Sequence, residues 1–242
     1  MNWIEQCNTW KQKWPVMQSE YLDDSDGRLN IYAVLNAINE YSKSTDILMG
    51  DAGSISYAGP VALNAKENQR FIFSPAQADM GWALPAAIGV SIASGQNVIS
   101  IIGDGSFMSN IQELAVARQH SLNIKFVILN NSGYLSIKNT QTKYFDNRIY
   151  GTSNETGLWF PNFADVSTTF DIGYTRIDSI AALDTLDVLF NEPGTAIIDC
   201  ICKIEQEILP AQALKNGKQA GLHDMIPFLS EEELLNEMKV VI

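Results

Sequence analysis

Short apolar runs separated by helix-length amphipathic stretches set the rhythm of this chain. Residues 46–49, 70–73, 97–102, 124–129, 174–177 and 195–204 are rich in β-branched or aromatic residues and read as strands. The runs Asn97–Ile102 and Ile124–Leu129 show little alternation, the mark of parallel strands covered on both faces. Helical patterns lie between the runs. One spans 28–43, with Ile31, Leu35 and Ile38 on a single face and Asp23-Asp24-Ser25-Asp26 as N-cap chemistry. Others span 81–94, 134–139, 162–170 and 180–190, and one begins near Ser109-Asn110. A short amphipathic segment with Trp3, Trp10 and Trp14 opens the chain, and a loop rich in Gly, Asn, Thr and Pro is expected over about 140–161. Such βα alternation predicts an α/β fold, a doubly wound parallel sheet with helices on both faces. The expected domain covers 1–205. The tail, 206–242, reads as irregular until an acidic amphipathic helix near 230–239, and its expected role is an active-site lid or a subunit contact.

Composition narrows the function classes. A formal net charge of −12 over 242 residues argues against nucleic acid or an anionic membrane as partner. The three cysteines, Cys7, Cys200 and Cys202, form no CxxC pair, so neither a disulfide framework nor a zinc or iron–sulfur site is indicated. Cys200 and Cys202 share one face of an expected strand and read as core. The opening residues lack a basic region followed by an apolar one, no apolar run reaches the ~20 residues of a membrane span, and a cytoplasmic location is expected.

The candidate chemistry lies between residues 103 and 133. Gly103-Asp104-Gly105-Ser106 follows a buried strand, where a glycine turn brings bare backbone close to a ligand above the strand's carboxyl end. The free N–H groups of a helix start can face an anion. The strand at 124–129 delivers Asn130-Asn131 to the same edge. A carboxylate from Asp104 and an amide oxygen from Asn131 are hard donors that suit Mg²⁺ or Ca²⁺. Backbone donors beside a hard cation describe a diphosphate site.

This arrangement resembles the signature of thiamine-diphosphate (ThDP) enzymes, Gly-Asp-Gly followed by Asn-Asn, here with Asp104 and Asn131 27 positions apart. The spacing is similar to that of the acetolactate synthase and pyruvate oxidase branch. Met80-Gly81-Trp82-Ala83-Leu84-Pro85-Ala86-Ala87-Ile88-Gly89 resembles the segment that precedes the signature there, and Ile111–Ala115 resembles its next helix. The resemblance covers roughly 25–205. It implies Mg²⁺ bound by the side chains of Asp104 and Asn131 and the carbonyl of Gly133, with Gly103, Gly105, Ser106 and Tyr134 beside the cofactor. The turn Gly50-Asp51-Ala52-Gly53-Ser54 corresponds to a family turn whose last residues touch the diphosphate, which places Gly53, Ser54 and Ile55 in the site, although Ile55 offers only its backbone. Met80 corresponds to the apolar buttress that bends ThDP, and the backbone of Ala78 accepts from its 4′-amino group.

The same resemblance says what this chain lacks. In these enzymes a glutamate from a separate pyrimidine-binding domain protonates the pyrimidine ring, and here only 79 residues precede Met80. Glu113 reads as structural. The expectation is therefore the diphosphate-binding half of a split enzyme, with the catalytic glutamate on a second polypeptide in an α₂β₂-type hetero-oligomer; Met1 favours a complete subunit over the alternative, a fragment cut from a longer chain. The expected activity is that of a lyase or transferase: decarboxylation of a 2-oxo acid such as pyruvate, with or without carboligation to an aldehyde or ketone. Thr140 stands where acetolactate synthases carry a tryptophan, which argues against a housekeeping acetolactate synthase. Tyr134 and Gln141 are the expected pocket-lining residues and Lys138 a solvated one, with Ser136 left open between the two. His120 is expected to end a helix and His223 to lie in the tail as a possible lid residue. Rivals are the β subunit of a 2-oxo acid oxidoreductase, or a non-catalytic partner protein with this fold.

Overall fold

The computed structural model describes residues 2–239, which divide into a large unit ending at Gln206 and a small one beginning at Glu207. Six strands, β1 (Ile47–Gly50), β2 (Arg70–Phe73), β3 (Val98–Gly103), β4 (Ile124–Asn130), β5 (Gly173–Ile177) and β6 (Ala196–Ile201), form one all-parallel sheet in the order β2-β1-β3-β4-β6-β5. Each sits within two or three residues of the expected run. An amphipathic helix, α1 (Trp3–Lys13), opens the chain, its Asn2 and Glu5 forming a capping box.

Both faces of the sheet are covered. On one, Ile47, Met49, Val98, Ile102, Phe126, Ile128 and Ile197 bury against α4 (Ala83–Ser94), α6 (Leu114–Gln119) and α8 (Phe163–Phe170). On the other lie α2 (Ile31–Tyr41), α3 (Ser54–Ala62) and α9 (Leu186–Leu189). Burial on both faces removes the alternation from β3 and β4, whose residues 98–102 and 124–129 are all buried. Cys200 and Cys202 are fully buried core thiols, and burial pushes both thiols up.

Five expectations need correction. The cap of α2 is Asn30, whose side chain accepts from Tyr32 N, while Asp24 instead accepts from Ile180 N and Asp26 from Arg28 N. The helix after the Gly-Asp-Gly turn starts at once as α5 (Asp104–Met108), and only a 3₁₀ turn at 111–113 and α6 follow. The segment near 134–139 extends as α7 (Leu135–Tyr144), and 180–190 is a 3₁₀ turn at 181–185 running into α9. The small unit holds a hairpin, β7 (Leu214–Lys215) with β8 (Lys218–Gln219), turning at Asn216-Gly217 with both φ positive. It ends in α10 (Glu231–Met238), capped by Ser230, with three glutamates in the first turn where the helix dipole favours them. Among the described residues no helix is long and apolar enough to cross a membrane.

Candidate functional site

The sheet order fixes where a ligand can enter. From β1 the chain crosses to β2 on one side, whereas β3 lies on the other side of β1 and leads to β4. The crevice outside the carboxyl ends of β1 and β3 is therefore a switch point. Three strand ends deliver turns to it: Asp51–Gly53 from β1, Gly103-Asp104 from β3 and Asn131–Tyr134 from β4. One cleft is lined by Gly53, Ser54, Ile55, Met80, Gly103, Asp104, Gly105, Ser106, Asn131, Gly133 and Tyr134, joined by Ser136 and Ile137. Eleven of the twelve expected cofactor-contacting residues thus come together. Ala78 is the exception: it lies outside the lining, exposed and with φ 53°, its N–H donating to Ser74 O.

Asp104 is 1% exposed, at the first position of α5. Its Oδ1 accepts from Gly105 N at 2.7 Å and its Oδ2 from Gly133 N at 3.0 Å, joining the β3 and β4 turns. Burial pushes its carboxyl up to about 7, opposed by the backbone donors of Gly105, Gly133 and Ser132. The carboxylate is thus enclosed at a helix start, not held at an exposed loop tip. Two glycines are required by close approach: a Cβ on Gly105 would lie 2.0 Å from the Tyr134 ring, and one on Gly133 2.0 Å from the Thr152 carbonyl oxygen. Tyr134 also packs edge-on against Phe160, and its N–H donates to Thr152 O.

Sequence reasoning missed Asp51. This buried carboxylate accepts from Gly81 N at 3.1 Å, Ala83 N at 2.8 Å and Ala52 N at 2.6 Å, and it also bonds the Ser106 side chain. It caps α4, not the adjacent α3, and ties the Met80 turn to the β1 and β3 turns. Its position at the end of a buried strand was the available signal, but Gly81, Ala83 and Ser106, the partners that give it its role, lie 30 residues or more away. Ser136 lines the cleft, whereas Gln141 does not: its amide pins the loop by accepting from Tyr150 N and donating to Tyr150 O. Lys138 pairs with Glu205 at 3.2 Å. His120 is the C-cap of α6 and His223 belongs to the small unit.

The donor set fits a diphosphate with a hard cation. The starts of α3, α5 and α7 all border the cleft and none has a side-chain bond from its N-cap residue; apart from Gly105 N, which Asp104 Oδ1 holds, their first-turn N–H groups can face an anion. One carboxylate, one amide and the nearby carbonyl of Gly133 are oxygen donors of the kind Mg²⁺ takes. Among the described residues no cluster of three His, Cys, Asp or Glu could hold a metal, so a thiolate- or imidazole-rich centre is not what this cleft offers.

Comparison with known proteins agrees with that chemistry. Residues 51–200 match the family model described as thiamine pyrophosphate enzyme, C-terminal TPP binding domain. The chain belongs to this ThDP-dependent enzyme family. Its curated relatives place it in the acetolactate synthase-like branch. It is 26% identical over 224 residues to the acetolactate synthase large subunit of Cyanidium caldarium, covering 91% of this chain and 37% of that one. To the chloroplastic acetolactate synthase of Arabidopsis thaliana it is 28% identical over 214 residues, covering 86% and 31%. A similar match, 26% over 226 residues, joins it to the acetolactate synthase large subunit of Lactococcus lactis, covering 92% and 38%. The chain spans about a third of the length of these relatives.

Proposed function

We propose that this chain binds the diphosphate end of ThDP through Mg²⁺ in an acetolactate synthase-like enzyme. That enzyme decarboxylates a 2-oxo acid such as pyruvate and passes the acyl unit to an aldehyde or ketone. The observation that carries the reading is the convergence of three helix starts, none with a side-chain bond from its N-cap residue, on a cleft whose only lining carboxylate among the described residues is Asp104. When bound, the cofactor supplies the carbanion chemistry that a 2-oxo acid needs to lose CO₂. Asp104, Asn131 and the Gly133 carbonyl would hold the cation. Backbone N–H groups around Ser54, Ser106 and Leu135 would hold the diphosphate. Met80, 40% exposed at the rim, would supply the apolar support beneath the rings. Tyr134, Ser136 and Ile137 would form the wall against which substrate orients.

The acid that serves the pyrimidine ring comes from elsewhere in this proposal, because no glutamate is among the described residues lining the cleft. A separate pyrimidine-domain chain in a hetero-oligomer is the arrangement we favour. The test is calorimetric titration of ThDP into the chain, with and without Mg²⁺, together with the second chain where one is found. Mg²⁺-dependent binding supports the reading; binding indifferent to Mg²⁺, or none, opposes it.

A further inference from the structure

Behind the cleft, a second buried carboxylate is aimed at the cation turn from the far side of the sheet edge. Asp199, 3% exposed on β6, accepts from Asn130 Nδ2 at 2.9 Å and from the Tyr174 hydroxyl at 3.1 Å. Asn130 Oδ1 in turn accepts from Ser132 N at 3.1 Å, while Asn130 O accepts from Cys202 N at 2.7 Å. Ser132 has φ 63°, a left-handed conformation that a serine keeps only when its surroundings hold it there. On the cleft side, Gly133 N is held by Asp104 Oδ2 at 3.0 Å. Asn131 therefore sits in a turn fixed at both ends by carboxylates, Asp104 in front and Asp199 behind.

We propose that Asp199 is a positioning residue for the cation site: through Asn130 it fixes the 130–133 turn so that the Asn131 amide and the Gly133 carbonyl face the cleft. This rests on the cofactor reading given above. Residues that orient metal ligands from outside the coordination shell commonly alter metal affinity by about 10–100-fold, and the chain Tyr174–Asp199–Asn130–Ser132 has that form. Tyr174 holds the second oxygen of Asp199, so the carboxylate presents a fixed face to Asn130.

The test is Mg²⁺ titration of ThDP binding, followed calorimetrically and by intrinsic tryptophan fluorescence, for the wild-type chain, Asp199→Asn, Asp199→Leu, Asn130→Ala and Asp104→Ala. A second chain is present throughout if wild-type binding needs one. Asp199→Asn keeps an oxygen for Asn130 and should stay within about threefold of wild type. Asp199→Leu matches the volume without an acceptor, and replacement of a buried charge by an apolar residue is often tolerated. It should raise the Mg²⁺ concentration for half-saturation at least tenfold, leaving ThDP affinity at saturating Mg²⁺ little changed. Asn130→Ala, which leaves the Asp199–Tyr174 bond in place, should do the same and stands in if the Leu variant fails to fold. Wild-type Mg²⁺ dependence in both Asp199→Leu and Asn130→Ala overturns the proposal. So does a parallel loss of melting temperature and of ThDP affinity at every Mg²⁺ concentration, which marks a merely structural role. Asp104→Ala separates the two readings: if it too leaves the Mg²⁺ dependence unchanged, the cofactor reading itself has failed.

Discussion

Three buried carboxylates organise the site, and each was legible in the sequence to a different degree. Asp104 stood out because a motif surrounds it. Asp51 and Asp199 did not, because the partners that tie them to the site, Gly81 and Asn130, lie 30 and 69 residues away and no local pattern encodes such bonds. Burial raises the carboxyls of both Asp51 and Asp199 above the ordinary carboxylate range, opposed by their hydrogen-bond donors. The sign of the consequence follows. A group whose folded pKa lies above its unfolded value binds more protons when folded, so its contribution is fully present below the unfolded value of 3.8 and is lost as pH rises through the folded one. Asp104, whose carboxyl burial pushes up to about 7, sets the window: with Mg²⁺ chelated, stability should fall from mildly acidic pH through neutrality, and Asp104→Asn should flatten that slope. Urea unfolding at pH 5.5 and 7.5 checks it; a wild-type chain more stable at 7.5 by this measure contradicts it. The two close-packed glycines give a second expectation. Gly133→Ala drives a methyl into the Thr152 carbonyl, a backbone atom that cannot step aside, so the turn itself must move. ThDP binding should drop at least tenfold, with a loss of some degrees in melting temperature; unchanged binding would show that the turn is not part of the site.

At the level of elements, periodicity located the strands well and the helix boundaries less well. Strands buried on both faces leave uninterrupted apolar runs, which is why β3 and β4 were read to within a residue. Helix starts depend on caps, and caps here come from unexpected places: Asn30 for α2 in place of the acidic run before it, and Asp51 for α4 across the sheet edge. The start of α5 directly at Asp104 was missed because Gly103-Asp104-Gly105 reads locally as a turn, whereas Gly105 here serves close approach to the Tyr134 ring within a helix. The Asn216-Gly217 hairpin carried a clear local signal that the irregular reading of the tail overlooked. The cap on α4 can be weighed. Asp51→Ala leaves the N–H groups of Gly81, Ala83 and Ala52 without their acceptor, and each buried unpaired donor costs ~1–3 kcal/mol. The variant should lose about 3 kcal/mol or more in denaturant unfolding, and a loss under about 0.5 kcal/mol would show that water replaces the carboxylate without cost.

For the whole molecule, the sheet order makes one crevice, and the turns that carry the family signature meet there. The fold class and the grouping of Gly53, Met80, Asp104, Asn131 and Gly133 were legible because short motifs ride on strand ends, where any parallel sheet exposes them. The second layer of support was not, since it arises only when distant strands become neighbours. Under the proposed function, the chain free of any other polypeptide should release no CO₂ from pyruvate with ThDP and Mg²⁺, and addition of a pyrimidine-domain chain should restore turnover. Robust release from the chain alone would require an acid within the chain itself. The most direct test of the account is calorimetric ThDP titration in saturating Mg²⁺ for the wild-type chain and Asp104→Ala, with that second chain present if wild-type binding needs it. A deficit of tenfold or more in the variant, about 1.4 kcal/mol, is the predicted result, and equal affinities would contradict it.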